Sequence, residues 1–515
     1  MIHAMGPRRC GLMRAMNSID PSDPGALLRQ AVAHHQRGEL AQAETLYGAV
    51  LAREPANFDA LHLSGVVARQ RQAPQLALDL IAQALAIDDS RAIAHCNLGA
   101  VLQDLGREHE ALASYERALA LQPDYPMALC NRGNALRRLG RLDEALDSYG
   151  RALALTPRYP EAFCNRALAL QALDRHADAL DDFGAALTER PAYAEALHGA
   201  GVSLAALEQM DDALEAFDRA LRAQPDYADA WCSRGTLLLR SHEPQAALDS
   251  YHAALALRPG SARARLGCAN ALRALGRRDE AVAAYEAAAA CGADAGTVAY
   301  LLASLGAAPA PQASPAGYVA ALFDQYAGRF DRHLVDVLRY RTPALLADVL
   351  ARQLDGRRDL AILDLGCGTG LCGPLLRPLA RHLAGVDLSA GMLAQARELG
   401  VYDTLACAEL TAYLAHESAH WDVLAAADVL VYIGDLDPVL AAARQALRAG
   451  DLFVLSVEAL EGEGYALRAS GRYAHAAGYV ASVAARHGFA VREQVACTLR
   501  EDSGEPVAGL VFALG

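Results

Sequence analysis

The sequence predicts a multidomain chain: an all-α repeat solenoid, then an α/β domain whose mostly parallel sheet ends in an antiparallel hairpin. Three observations carry this. Small and aromatic residues recur every 34 positions between Pro24 and Ala295. From Tyr318 onward, helical stretches alternate with short apolar runs, the pattern of parallel strands joined by crossover helices. Within that second part, LAILDLGCGTG (Leu360–Gly370) runs from an apolar strand into glycines at every second position. That reads as a buried strand entering a loop, ahead of a helix N-terminus, whose backbone comes close to a ligand.

Composition narrows the function classes. The 515 residues are 53% hydrophobic with only 6% aromatics, which suits packing of small-residue helices. A net charge of −14 argues against a large sequence-independent nucleic-acid footprint. No apolar run approaches the roughly 20 residues that span a bilayer, and the N-terminus lacks a signal-type apolar segment. A cytoplasmic protein without a membrane partner is therefore expected, with residues 1–23 disordered ahead of the array. The eleven cysteines then need a reason other than a disulfide framework. Cys96, Cys130 and Cys164 are spaced by 34 and mark a buried repeat position; no metal-ligand spacing accompanies them, so no metal is expected.

Eight units of 34 fill residues 24–295. The eighth position is small (Gly65, Gly99, Gly133, Gly201), the twentieth is alanine throughout, and an aromatic such as Tyr115, Tyr149 or Phe217 follows four later. Most units close on a proline, as at Pro123 and Pro157. Each unit reads as two antiparallel helices: small residues allow close approach, the aromatic fills the gap between neighbouring units, and proline stops the second helix. One unit cannot bury its apolar face alone, so units stack into a solenoid with a concave face. The pattern resembles the tetratricopeptide repeat family. In that family the sixth position tends to face the groove, and here it holds Asn97, Asn131 and Asn165 in successive units. The ladder is similar to that of protein O-glycosyltransferase repeats. The resemblance implies a protein or peptide partner held through its backbone; local backbone satisfaction is the other reading of these asparagines.

The period fades after Gly292. Residues 296–317 read as a capping helix and an Ala/Pro connector, GAAPAPQASPAG, and residues 318–515 as the second domain. Helices are expected at Tyr318–Arg329 and Thr342–Leu354. Strands are expected at His382–Val386, Thr404–Ala408, Asp422–Ala427, Leu452–Val457, Ala490–Cys497 and Val507–Leu514.

Around the glycine loop, Asp364 ends the first strand and Asp387 closes the next, where a carboxylate can accept from both hydroxyls of a ribose. Glu409 follows the third strand, where it could meet an adenine amino group or stand as a solvated loop acid. Gly368-Thr369-Gly370-Leu371-Cys372-Gly373 also satisfies a dinucleotide expression, so the glycines alone admit two cofactors. The wider context, D-x-G-x-G-x-G after a strand followed by DLSAGML, resembles the class I S-adenosylmethionine-dependent methyltransferases, which have a Rossmann-like fold. AGRFDRHL and SGRYAHAAGYV are similar to bacterial members fused to tetratricopeptide repeats. The resemblance implies S-adenosylmethionine as cofactor, with Asp364, Gly366, Gly368 and Gly370 around its methionine part. It further implies Asp387 at the ribose, Met392 near the adenine, and Glu409 with Leu410 at the adenine edge. Ala449-Gly450-Asp451 departs from the proline and two glycines usual in that turn.

A sulfonium donor needs an aligned acceptor, and a base only where the acceptor must lose a proton early. Asp428, Tyr432, Tyr473 and His475 are the candidates; His475 as a packing residue and Asp428 as a backbone-orienting one are the competing readings. Tyr326 and Phe330 either close over the cofactor or join the core. The reading is a methyltransferase with a recruiting solenoid. An interaction scaffold that binds cofactor without catalysis and a nucleotide-dependent oxidoreductase are the alternatives. Nothing in the sequence identifies the methyl acceptor.

Overall fold

A computed structural model describes residues 23–324, 326–332, 334, 338–502 and 505–515. The expected disordered segment at the start of the chain lies, up to residue 22, outside the described residues. The chain falls into two compact units that part between Glu243 and Pro244, a division inside the repeat array.

In the first unit, helices come in pairs at the 34-residue step, from Pro24–Gln36 with Leu40–Leu51 to Ala194–Ala206 with Met210–Ala223, followed by Ala228–Arg240. The small eighth residue has a definite cause. A Cβ on Gly99 would stand 2.6 Å from the Tyr115 ring, and one on Gly133 would stand 2.5 Å from Tyr149. Both tyrosines are fully buried, so each ring lies against the backbone of the first helix of its own pair. The aromatic also reaches forward, because a Cβ on Gly199 would meet the ring of Phe183, one unit earlier, at 2.3 Å. Its role is therefore wider than filling the gap between units. Second helices end at Leu121 and Leu155, two residues before Pro123 and Pro157, because proline cannot continue the hydrogen-bond ladder. Cys96, Cys130 and Cys164 are buried free thiols, as the spacing implies.

The second unit begins with Pro244–Leu257, Ala262–Ala274, Arg278–Ala290 and a shorter helix, Ala295–Ser304. The Ala/Pro stretch after it is tied down along its length. Ser314 N donates to Tyr432 O at 2.8 Å, and the amides of Gly434 and Asp435 donate to Gln312 O at 2.8 and 2.9 Å. The Tyr473 hydroxyl donates to Pro311 O at 2.6 Å.

Among the described residues, nine strands form one sheet: β1 (Leu360–Leu365), β2 (Ala380–Asp387), β3 (Thr404–Cys407), β4 (Trp421–Ala426), β5 (Leu447–Ala459), β6 (Tyr465–Leu467), β7 (Tyr473–His475), β8 (Val491–Asp502) and β9 (Glu505–Leu514). The order is β3-β2-β1-β4-β5-β7-β6, with β9 antiparallel to both β5 and β8. All of β1 is buried, as its continuous apolar run requires of a central parallel strand. The chain proceeds from β1 outward through β2 and β3, then returns to add β4 and β5 on the other side. The crevice beyond β1 and β4 is the switch point at which open α/β sheets bind ligands.

Three expectations change. β6 and β7, at three residues each, are too short to show a period and were not expected. The helix at Tyr318–Arg329 is instead Ala316–Asp324 followed by a single 3-10 turn, Ala327–Arg329, whereas Thr342–Leu354 stands as read. The helix after the glycine loop is only Gly373–Leu376, with Pro378 two residues past its end, so it is too short to bring a long helix dipole to the loop.

Candidate functional site

At the switch point lies a cavity of ≈ 670 Å³, within the size range of small-molecule sites. The glycine loop, the ends of β2 and β4, and the helix Ala316–Asp324 line it. That helix is pinned by Asp324, whose carboxylate accepts from Ser389 Oγ at 2.5 Å and Gly391 N at 3.1 Å. Thr369 Oγ1 donates to Asp331, which holds the next turn against the loop. Phe323, Tyr326, Phe330 and Tyr432 form an aromatic wall, with Phe323 edge-on to Tyr432 at 5.5 Å between ring centroids.

The three loop glycines do different work. All have positive φ (+65°, +56° and +95°), a region that side chains disfavour. A Cβ on Gly366 would strike Val429 at 2.4 Å, and one on Gly370 would strike Leu399 at 2.8 Å. Protein atoms, not a ligand, exclude side chains there, and Gly370 does not line the cavity. Only Gly368 has open space, with Phe330 as its nearest neighbour at 3.8 Å. The loop thus offers one close-approach position.

Asp387 lines the cavity and accepts from Gly368 N and Ser389 N, each at 2.9 Å. Burial pushes its carboxyl above the ordinary carboxylate value, and the surrounding backbone amides pull it back. Asp364 sits beneath the loop, 1% exposed, with the Tyr402 hydroxyl donating to it at 2.7 Å. Its carboxyl is raised to about 7 by burial, against the bond from Tyr402. Met392 and Leu410 line the cavity and are buried. Glu409 lines it too, but its carboxylate caps a helix, accepting from Thr411 N at 2.9 Å and Ala412 N at 2.7 Å.

The candidates for proton transfer divide. Asp428 and Tyr432 line the cavity; Tyr473 and His475 do not. Tyr473 is buried with its hydroxyl on Pro311 O. His475 is fully buried, bonded to Gly434 O at 3.0 Å and stacked on Tyr479; burial pushes its imidazole down to about 4, so it is neutral. Asp428, at φ +52°, accepts from Arg500 at 2.6 Å and from Ser456 Oγ at 3.1 Å. Sequence reasoning missed Arg500, Arg472 and Tyr402. Arg472 lies within SGRYAHAAGYV, where no role was read for it, and Arg500 sits in β8 with no local motif; only the fold brings the two to one cavity. Among the described residues, no group of His, Cys, Asp and Glu is arranged to hold a metal.

In the repeats, Asn131 and Asn165 each reach back one unit, their amides donating to Cys96 Sγ at 3.8 Å and Cys130 Sγ at 3.7 Å. Asn97 pairs with His62 at 2.8 Å. All three remain half-buried.

Residues 363–452 match a family described as a methyltransferase domain. Residues 28–92, 92–125, 114–147, 133–174, 164–228 and 238–305 match families described as TPR or tetratricopeptide repeats. The chain is 42% identical over 90 residues to methyltransferase-like protein 27 of Homo sapiens, a match covering 17% of this chain and 36% of that protein. It thus spans about a third of that relative. Among solved structures it is similar to YrrB, titled a TPR protein with an unusual peptide-binding site (24% identity, TM-score 0.30, 36% of this chain and 95% of that one). It is also similar to pilF of Pseudomonas aeruginosa (24% identity, TM-score 0.37, 42% of this chain and 97% of that one).

Proposed function

The chain carries tetratricopeptide repeats followed by a methyltransferase domain, and on that premise we propose that it transfers a methyl group from S-adenosylmethionine to an acceptor bound in the same cavity. The observation that carries the reading is Asp387, which ends β2 beside the switch point with its carboxylate on the cavity wall. A carboxylate has about four acceptor positions, so the amides of Gly368 and Ser389 leave room for ribose hydroxyls.

The bound donor supplies an activated methyl group. The chain's own residues bind, orient and exclude water. Gly368 gives close approach, Gly366 and Gly370 let the loop fold back on Val429 and Leu399, and Asp364 braces the loop through Tyr402. Met392 packs against the base, with Leu410 at its edge, where Glu409 orders the backbone by capping. Asp428 and Tyr432 face the acceptor; Tyr473 and His475 hold the wall behind. In the repeats, we assign the free acceptor atoms of Asn97, Asn131 and Asn165 to the backbone of an extended peptide from a protein partner. The described residues include no helix long and apolar enough to cross a membrane, and we place the protein's work in the cytoplasm.

Calorimetry with S-adenosylmethionine and with NAD tests the donor. Wild type is expected to bind the former only, and Asp387→Ala to lose at least about tenfold in affinity, about 1.4 kcal/mol, with an unchanged far-ultraviolet helical signal. Unaltered affinity in that variant would remove the ribose assignment. Transfer of labelled methyl to a lysate component separates an enzyme from a cofactor-binding scaffold.

A further inference from the structure

Resting on the donor reading above, we propose that the methyl acceptor is an alkyl or aryl carboxylic acid whose carboxylate is bound by Arg472 and Arg500. One carboxylate oxygen forms the bond to the methyl carbon as the methyl–sulfur bond breaks, leaving a methyl ester and S-adenosylhomocysteine. These two are the only basic residues among the described residues that line the cavity. Arg500 is 4% exposed, and its two terminal nitrogens are spent: one donates to Asp428 at 2.6 Å, the other to Glu458. Its Nε is buried with no hydrogen-bond partner among the described residues. An ionised donor left unsatisfied in the interior is costly, and because Arg500 lines the cavity, a ligand oxygen that displaces the wall to reach Nε relieves the cost. Two carboxylates also clamp the guanidinium plane, so its unpaired Nε–H is held in place before any ligand arrives.

Arg472 complements it. Asp502 stands 3.7 Å from Arg472, an ion pair beyond hydrogen-bond distance; the Tyr432 hydroxyl accepts from it, and the charges of Glu458 and Asp428 also act on it. Glu458 is shared with Arg468 at 3.6 Å. The cluster is therefore balanced, with Arg468, Arg472 and Arg500 against Asp428, Glu458 and Asp502. Asp435 lies on the same cavity wall. Recognition must come from ordered donors at short range rather than from net positive field, which favours a planar carboxylate that two guanidinium edges can share. Elsewhere the wall is apolar, from Val319, Leu322, Phe323, Phe330, Leu334 and Val439. An apolar body with one anionic end fits that lining; a polar protein side chain leaves much of it unfilled.

The test uses the full chain saturated with S-adenosylhomocysteine. A panel of alkyl and aryl carboxylic acids is titrated against the matched primary amides. Members of the acid series are expected to bind at least about tenfold tighter than their amides, and Arg472→Gln to abolish that preference while affinity for S-adenosylhomocysteine is unchanged. Arg500→Lys, which keeps the charge for Asp428 and Glu458 but removes Nε, is expected to weaken the same acids. Amides that bind as well as their acids, or no acid binding at all, with S-adenosylhomocysteine still bound, would overturn the proposal. Failure to bind S-adenosylhomocysteine would bring down the donor reading instead.

Discussion

Asp364 carries a consequence for stability as well as for the loop. Its folded carboxyl titrates near 7 because burial disfavours the charge, whereas an unfolded aspartate titrates near about 4. Between those values the folded chain keeps a proton that the unfolded chain has lost. The stabilisation is therefore whole below about pH 4 and is lost as pH climbs to about 7. Asp364→Asn, still able to accept from Tyr402, escapes that loss. Its melting temperature is expected to exceed that of wild type at pH 8, with the gap closing below pH 5; each tenfold difference in proton affinity between the two states is worth about 1.4 kcal/mol. A gap independent of pH would show that the Asp364 carboxylate does not titrate in this window. The position of Asp364 at the end of an apolar run was legible in the sequence. Its partner Tyr402, 38 residues on, was not, because no local pattern links them.

At the scale of the element, the repeat pattern separates glycines by what they touch. Gly133 faces Tyr149, whose hydroxyl is tied to Asn134 at 2.8 Å, so the ring has no free direction in which to yield. Gly133→Ala gains about 1 kcal/mol of helix propensity but overpacks at a cost of about 1–3 kcal/mol. A net loss is expected, read as a lower urea midpoint by circular dichroism. Gly150, within Leu142–Leu155, has nothing within 4 Å of its would-be Cβ. Gly150→Ala is expected to raise the midpoint, by about 0.5–1 kcal/mol. Were both variants to move the same way, the contact with Tyr149 would not be what keeps Gly133 small. The periodicity identified these positions but not the contact, because a repeat shows that a residue is small without showing what presses on it.

For the whole molecule, the second compact unit holds every residue lining the cavity, from Gln312 to Asp502. The boundary in amino-acid character at residues 306–317 does not coincide with a boundary in structure, since Gln312, Ala313 and Ser314 form part of the cavity wall, and Gln312 and Ser314 bond to Tyr432, Gly434 and Asp435. A chain beginning at Pro244 is expected to bind S-adenosylmethionine as the full chain does. One beginning at Tyr318, stripped of that wall, is expected to bind at least about tenfold more weakly by calorimetry. Equal binding by the shorter chain would show that the Ala/Pro stretch is dispensable to the site.

What the sequence determined on its own is the local and periodic part: the 34-residue helical pairs, the strand-to-loop signature at Leu360–Gly370, and the acid at the end of β2. Those signals arise from neighbours a few residues apart or from strict repetition, so they survive in one dimension. The tertiary structure alone decided which glycine has open space beside it, that Tyr473 and His475 are buried supports, and that Arg472 and Arg500 meet at the cavity. Each of these depends on residues distant in the chain being brought together by the order of the sheet. Burial, which shifts Asp364 and His475 in opposite directions from their ordinary values, exists only once that packing is complete.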